Sequence, residues 1–437
     1  MNRGHSSLAA LGGAVALLGA VAFLGAFAAA ESIAESSLVH AHLVSSSPAE
    51  GDSLLASPDA IRLVFSEPVE APLSRILIVS ARDSLEIRLQ ADSTDARSLI
   101  GVLPTLAPAE YRVDWSVVSA DGHPVEGSYR FTVLGPGGPA DSVPSLGPPP
   151  AHPPAAGQGH ASGPTAESGI SAVLRGLAMF SLLVLAGWLV QLVALGGDPP
   201  RGAMWAALLF ATATTTFLAI HFAAWLWHVT PADATPDLAA ALASGPGRVE
   251  VVRIGLAFLC VWAIGLARRP WIALTLALAA VLVSGATGHS AGIAPRWSIP
   301  LKSLHLIALA VWMGAVAWLA VAALDPVSFR RSASRVSGMA LGAVAVVGRT
   351  GVGQTAFFLP DLQALVGSAY GRLILAKAAG LAGLVAFGAY NRRRLMPALA
   401  EGGDPDALRG STRRELVLML AVSLVAGVLA YVPPPSG

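Results

Sequence analysis

Tyr111-Arg112-Val113-Asp114-Trp115-Ser116-Val117 places a large apolar side chain at every second position and a polar one between. Successive side chains on a strand point to opposite faces, so this run reads as a half-buried β-strand. Ile61, Leu63 and Phe65 alternate around Arg62 and Ser66, and Tyr129, Phe131 and Val133 repeat the pattern further on. Breaks rich in Pro, Gly and Asp separate these runs, as expected for short antiparallel strands joined by turns. Residues 40–134 therefore read as an all-β sandwich or small barrel of about seven strands.

On either side the composition changes. Residues 135–168 are dominated by Gly, Pro, Ala and Ser, from Gly135-Pro136-Gly137-Gly138 to Pro148-Pro149-Pro150, and include His152 and His160. Such a stretch buries too little apolar surface to fold and reads as a semi-extended linker. From residue 169 to 437 the apolar runs are long enough to cross a bilayer, which takes ~20 residues. An all-α polytopic bundle of eight spans is expected, near 170–195, 203–229, 249–267, 271–289, 300–324, 336–358, 371–391 and 414–432. Over all 437 residues, 54% are hydrophobic and 13% charged, with mean hydropathy +0.63. A soluble domain carries about 25% charged residues, so most of this chain belongs in lipid.

Residues 1–39 read as a signal peptide or signal anchor. Arg3 precedes an apolar stretch from Leu8 to Ala30, and Ala28-Ala29-Ala30 offers small residues for cleavage. The β-region is then delivered outside the cytoplasm. Arginine placement agrees. With the β-region outside, the loops facing the cytoplasm carry Arg201, Arg268, Arg269, Arg330, Arg331, Arg335, Arg392, Arg393, Arg394, Arg409, Arg413 and Arg414. The opposite loops carry Arg248, Arg296, Lys302 and Arg372. This is the positive-inside bias of a cytoplasmic membrane protein.

Two short polar motifs bracket the β-region. His40-Ala41-His42-Leu43-Val44 opens it and Ser119-Ala120-Asp121-Gly122-His123-Pro124 closes it. Imidazoles with a carboxylate and no nearby cysteine make a borderline-hard donor set, which suits Cu(II) and less decisively Zn(II) or Ni(II). Asp121 and His123, two apart around a glycine, can converge on one ion from a turn; the same residues also suit a simple turn. The one cysteine, Cys260, lies in an apolar run, so neither an intrachain disulfide nor a multi-thiolate metal site is available. Within the bundle, His221 and His228 on the second span, His289 ending the fourth and His305 early in the fifth all fall in the outer half. Imidazoles in a bilayer are costly and mark functional sites, so these four are candidates for a membrane copper site. Met313 and Met179 are possible soft ligands for Cu(I).

His40-Ala-His-Leu-Val-Ser-Ser-Ser-Pro-Ala-Glu-Gly51, Phe65-Ser-Glu-Pro-Val69 and Tyr111 through Gly127 together resemble periplasmic CopC-type copper proteins. The resemblance implies a Greek-key sandwich that binds Cu(II) through the amine and ring of His40, joined by Asp121 and His123. It ranks Glu67 and His42 as secondary contacts. An amine at His40 requires cleavage after Val39, whereas cleavage after Ala30 or Ala34 leaves an extension and cleavage after Ala41 frees His42. No methionine lies between Met1 and Met179, so the Met-rich Cu(I) sites of some relatives are absent from the β-region. Ala286-Thr-Gly-His289-Ser, Leu304-His305 through Trp312-Met-Gly314, Tyr370-Gly-Arg through Lys377, and the ending from Arg414-Glu415 to Pro435 resemble CopD-type copper-resistance proteins.

Together these imply copper capture outside the cytoplasm and transport, inward, across the bacterial cytoplasmic membrane, contributing to copper homeostasis and resistance. The implied partners are copper ions, the bilayer and periplasmic copper proteins. The net charge of +1 offers nothing to nucleic acid. No nucleotide-binding loop and no nucleophile–base pair suggest ATP-driven pumping or hydrolysis. Sequestration of copper without transport, and haem b held by histidines across helices, stand as the competing readings.

Overall fold

Strands form where the apolar alternation is densest, and long helices where it gives way to unbroken apolar runs. The computed structural model describes residues 41–134, 166–196, 199–231, 234–288, 295–322, 324–359, 361–432 and 434–435. Residues 1–40, 135–165 of the expected linker and His289 lie outside this set; the last three linker residues, 166–168, instead open the first helix. Among the described residues, 41–134 and Trp225–Arg248 form one compact unit. Ala166–Ala224 and the residues from Val249 onward form the other.

Among the described residues the first unit has nine strands: β1 Leu43–Ser47, β2 Ser53–Leu54, β3 Ala60–Phe65, β4 Arg75–Val79, β5 Ser84–Arg88, β6 Gln90–Ala91, β7 Ser98–Val102, β8 Ala109–Val118 and β9 Pro124–Val133. They make a four-stranded sheet ordered β1-β3-β7-β6 and a five-stranded sheet ordered β2-β9-β8-β4-β5. The count exceeds the seven expected because β2 and β6 are two-residue strands too short to show an alternation. Ile61, Leu63 and Phe65 of one sheet and Ile76, Val113, Trp115 and Phe131 of the other share one apolar core. Phe65 meets Trp115 edge-on across the sheets, with ring centroids 5.4 Å apart, a favoured aromatic geometry. Trp115 lies opposite Gly127 in the β8–β9 register. A Cβ on Gly127 would stand 2.3 Å from the Trp115 ring, so the bare backbone there is what lets the indole lie flat.

The long β8–β9 hairpin matters most for function. Its ten paired residues end at Val118 and Pro124, and the connection between them is Ser119–His123.

The second unit is helical: α1 Ala166–Ala194, α2 Arg201–His228 (its last turn belonging to the first unit), α4 Gly245–Gly265, α5 Pro270–Ser284, α6 Pro295–Val321, α7 Pro326–Phe358, α9 Ala369–Tyr390 and α11 Pro405–Leu429. Short helices α8 Leu362–Gly367 and α10 Met396–Ala400 fill connections, while α3 Leu238–Ala243 and the first turn of α4 belong to the first unit. Among the described residues, five helices are long and apolar enough to cross a membrane: those of α1, α2, α6, α7 and the α9–α10 stretch. The other three expected spans fall short for visible reasons. The first turns of α4 carry Arg248, Glu250 and Arg253, and those of α11 carry Asp406, Arg409, Arg413, Arg414 and Glu415. Helix α5 has 15 residues, which is about 22 Å of helix. The centre of the bundle is a tight α1–α6 contact, where Trp188 and Trp318 pack with centroids 4.8 Å apart.

Candidate metal centre

The β8–β9 connection is folded by its own backbone. Ser119 N–H donates to His123 O and Gly122 N–H to Ser119 O, each at 2.9 Å. Gly122 sits at φ +93°, a left-handed conformation that costs glycine little and other residues more. That turn brings Asp121 and His123 together. His123 Nδ1 lies 2.9 Å from Asp121 Oδ1. The same carboxylate oxygen accepts from the Ser119 hydroxyl and from His123 N–H. Both side chains are buried, Asp121 at 7% and His123 at 5% exposure. The two-residue spacing does converge, and it presents an imidazole nitrogen beside a carboxylate oxygen.

Glu67 follows β3 and faces this pair. Its Oε1 is buried without a hydrogen-bond partner among the described residues, and its carboxyl accepts from Ala41 N–H. Burial, helped by the charge of Asp121, pushes Glu67 up to about 7. An Asp–His pair with a second acid in its electrostatic reach, one oxygen of that acid orphaned, suits a divalent cation, although the three side chains are not gathered closely enough to hold one without a further ligand. Ala41 is fully buried, while His42 is exposed and tied by its backbone to Ser66. Glu67 is therefore the secondary candidate in reach of Asp121. His40 lies outside the described residues.

Two residues that pattern reading passes over complete this end of the unit. Trp225 is buried and donates its indole N–H to Gly122 O at 3.0 Å. Glu70 accepts from Gly245 N–H at 3.1 Å. The segment Trp225–Arg248 thus grips the ligand turn by its central carbonyl. A Cβ on Gly122 would come 3.2 Å from the Trp225 nitrogen, so the contact reinforces the need for glycine.

The helix histidines do not assemble as expected. Among the described residues, no group of three or more His, Cys, Asp or Glu side chains is gathered closely enough to hold a metal ion. His221 and His228 share a helix face, but seven residues is about 10 Å of rise, and His228 falls in the β-unit. His289 lies outside the described residues. His221 is buried beside Glu250, Nδ1 to Oε2 3.6 Å, and Glu250 binds Arg253 at 2.6 Å. His305 Nδ1 meets Thr350 Oγ1 at 2.8 Å. The Thr350 hydroxyl also donates to Val346 O, so this contact ties the imidazole to the next helix. Met313 is packed in the apolar core at 2% exposure, a packing role common for methionine.

Comparison with known proteins agrees with this division. A model described as CopC domain matches residues 43–134, and one described as Copper resistance protein D matches 330–429. Protein YobA of Escherichia coli K12 is 41% identical over 97 residues, covering 22% of this chain and 78% of its own. The chain belongs to the CopC–CopD copper-resistance family. Copper transport protein CutJ of Bacillus subtilis is 31% identical over 105 residues, covering 23% of this chain and 19% of its own length. The crystal structure of CopC from Methylosinus trichosporium OB3b is 37% identical, with a TM-score of 0.21, and covers 22% of this chain and 95% of that one.

For this CopC–CopD chain, the buried Glu67 makes the stability of the β-unit depend on pH. Its folded value near 7 lies above the ordinary 4.5, so the unfolded state loses this proton first. The Glu67 contribution should then fall as pH rises from 4.5 to 7, by roughly 3 kcal/mol at most, and level off above. Hydrogen exchange of the β3 and β8 amides in the copper-free chain should show that slope. Glu67→Gln keeps an acceptor for Ala41 and should flatten it; an unchanged slope would place the titration elsewhere.

Proposed function

We propose that this protein captures Cu(II) outside the cytoplasm and passes copper inward across the bacterial cytoplasmic membrane. The observation that carries the reading is the buried Asp121–His123 pair, 2.9 Å apart, with the acidic Glu67 beside it. His40, by its ring and by its amine when it is the mature N-terminus, is the third ligand. The β-unit is a Greek-key sandwich. Residues 1–39 export it and 135–168 tether it to a bundle of eight spans whose arginine-rich loops face the cytoplasm. Shorter or more charged spans such as α4, α5 and α11 are tolerable where neighbouring helices shield them.

In the bundle, His305 is the favoured copper-accepting histidine, because Thr350 anchors its ring through Nδ1 and no carboxylate pairs with it among the described residues. A neutral imidazole suits either copper oxidation state. His221 ranks below it, since Arg253 shares its partner Glu250.

Whole-cell copper, measured in cells expressing the chain, tests this reading. Import predicts a rise over the empty vector that His123→Ala and His305→Ala each reduce several-fold at equal protein level. Sequestration without transport predicts that His123→Ala lowers bound copper while His305→Ala changes nothing. A Soret band in the purified protein would instead point to haem b.

A further inference from the structure

The end of the bundle where α1 and α4 begin and α5 finishes carries a concentration of buried basic side chains that the copper reading does not use. Arg175 of α1, His221 of α2, Arg253 of α4 and Lys302 of α6 each lie about two turns in from the same end of their helices. Arg253, Glu250 and His221 are 2%, 5% and 2% exposed. Arg175 donates to Thr287 Oγ1 at 3.4 Å, and Lys302 Nζ donates to Thr287 O. Arg175 also stands over the Tyr431 ring, 5.9 Å from its centroid. Arg175 is within electrostatic reach of Glu250 and Arg253, and Lys302 within reach of all three.

The charges do not balance. Glu250 is the one carboxylate among these groups, and it is held by Arg253. Two arginines and a lysine therefore share one carboxylate in a region of low dielectric, where unpaired charge is costly. The hydrogen bonds do not balance either. Arg253 Nε and His221 Nε2 are buried with no hydrogen-bond partner among the described residues, while His221 Nδ1 and Glu250 Oε2 face each other only at 3.6 Å. Buried polar groups are nearly always satisfied, so two such atoms beside an uneven set of charges call for a polar guest. The excess of N–H donors and positive charge sets its sign.

We propose that Arg175, Arg253 and Lys302 form a binding site for a small anion, a halide or an oxyanion. Arginine presents a donor fork to an oxyanion and lysine a point charge, and Thr287 holds two of the cations in place. The ligand chemistry is the same whether a free anion enters from solution or a lipid phosphate reaches in from the bilayer surface. The site is independent of the copper reading, and its test uses no copper.

The full chain is reconstituted in phosphatidylcholine nanodiscs, and its unfolding temperature is followed as gluconate is replaced by chloride or by phosphate at constant ionic strength. A saturable stabilisation is expected, with half-saturation raised at least tenfold in Lys302→Gln. Arg175→Gln serves the same purpose if the lysine variant does not fold. Discs containing phosphatidylglycerol form the second arm: stabilisation there, but not by chloride or phosphate, supports the site and identifies the lipid headgroup as its source. Coincident curves in all anions and both lipids would overturn the proposal, and so would full retention of the effect in both variants.

Discussion

His123→Ala is expected to weaken Cu(II) binding by about 100-fold or more, because perturbing even the groups that merely orient a metal ligand costs 10–100-fold. Here the ligand itself is lost. The substitution removes the imidazole whose Nδ1 stands 2.9 Å from Asp121 and leaves two acidic side chains without their nitrogen partner. Asp121→Asn complements it. The amide keeps an oxygen for the Ser119 hydroxyl and His123 N–H, so the turn should persist while the negative charge that draws a cation is gone. Competition of the full-length protein against a chromophoric Cu(II) chelator, with the copper EPR spectrum, reads both variants. Loss of affinity in both, with the β8–β9 hairpin still protected from exchange, supports the site. Wild-type affinity and an unchanged spectrum in His123→Ala would move copper elsewhere, with His42 the next ligand to test.

The β-unit was legible because its physics is local. Strict alternation at Tyr111–Val117 places one face of β8 inward whatever the rest of the chain does, and a glycine between Asp121 and His123 is what a tight, left-handed turn needs. The helices were legible from apolar length, and among the described residues a helix lies over each of the eight expected windows, five of them long and apolar enough to cross a membrane. Their membrane character was less so, since α4 and α11 open with charges that a window average dilutes. What stayed hidden was tertiary. Spacing puts His221 and His228 on one face, yet it does not say that Glu250 of another helix will take His221, or that Thr350 will take His305. Trp225 gave no signal as a clamp on Gly122, because nothing in its own helix points to a residue 103 positions away. One available cue was missed. Glu250 and Arg253, three apart inside an apolar run, have the spacing of an intrahelical pair, and such a pair in a bilayer asks for a reason.

Gly314→Val is expected to produce the largest loss of stability in the helical unit, more than about 3 kcal/mol, because it inserts atoms where two backbones touch. A Cβ on Gly314 would stand 2.0 Å from the carbonyl carbon of Gly187, and one on Gly187 would stand 1.8 Å from Ala310 O. Relief by side-chain rotation is impossible when the obstacle is main chain, so α1 and α6 must separate. Their separation would open the core holding Trp188 and Trp318. Small residues at such crossings are how membrane helices gain van der Waals contact when lipid supplies no hydrophobic drive. Ala310 and Gly314, four apart on α6, form that groove. Elsewhere in a helix glycine costs about 1 kcal/mol relative to alanine, so the sign of a substitution depends on what faces it. Gly255 of α4 has nothing within 4 Å of its ideal Cβ, and Gly255→Ala should be neutral or stabilising. Thermal unfolding and size-exclusion profiles of the two variants in one detergent decide the matter. A monodisperse Gly314→Val protein with an unchanged transition would show that the α1–α6 contact does not hold the bundle together; loss of the folded species in that variant alone is the expected result.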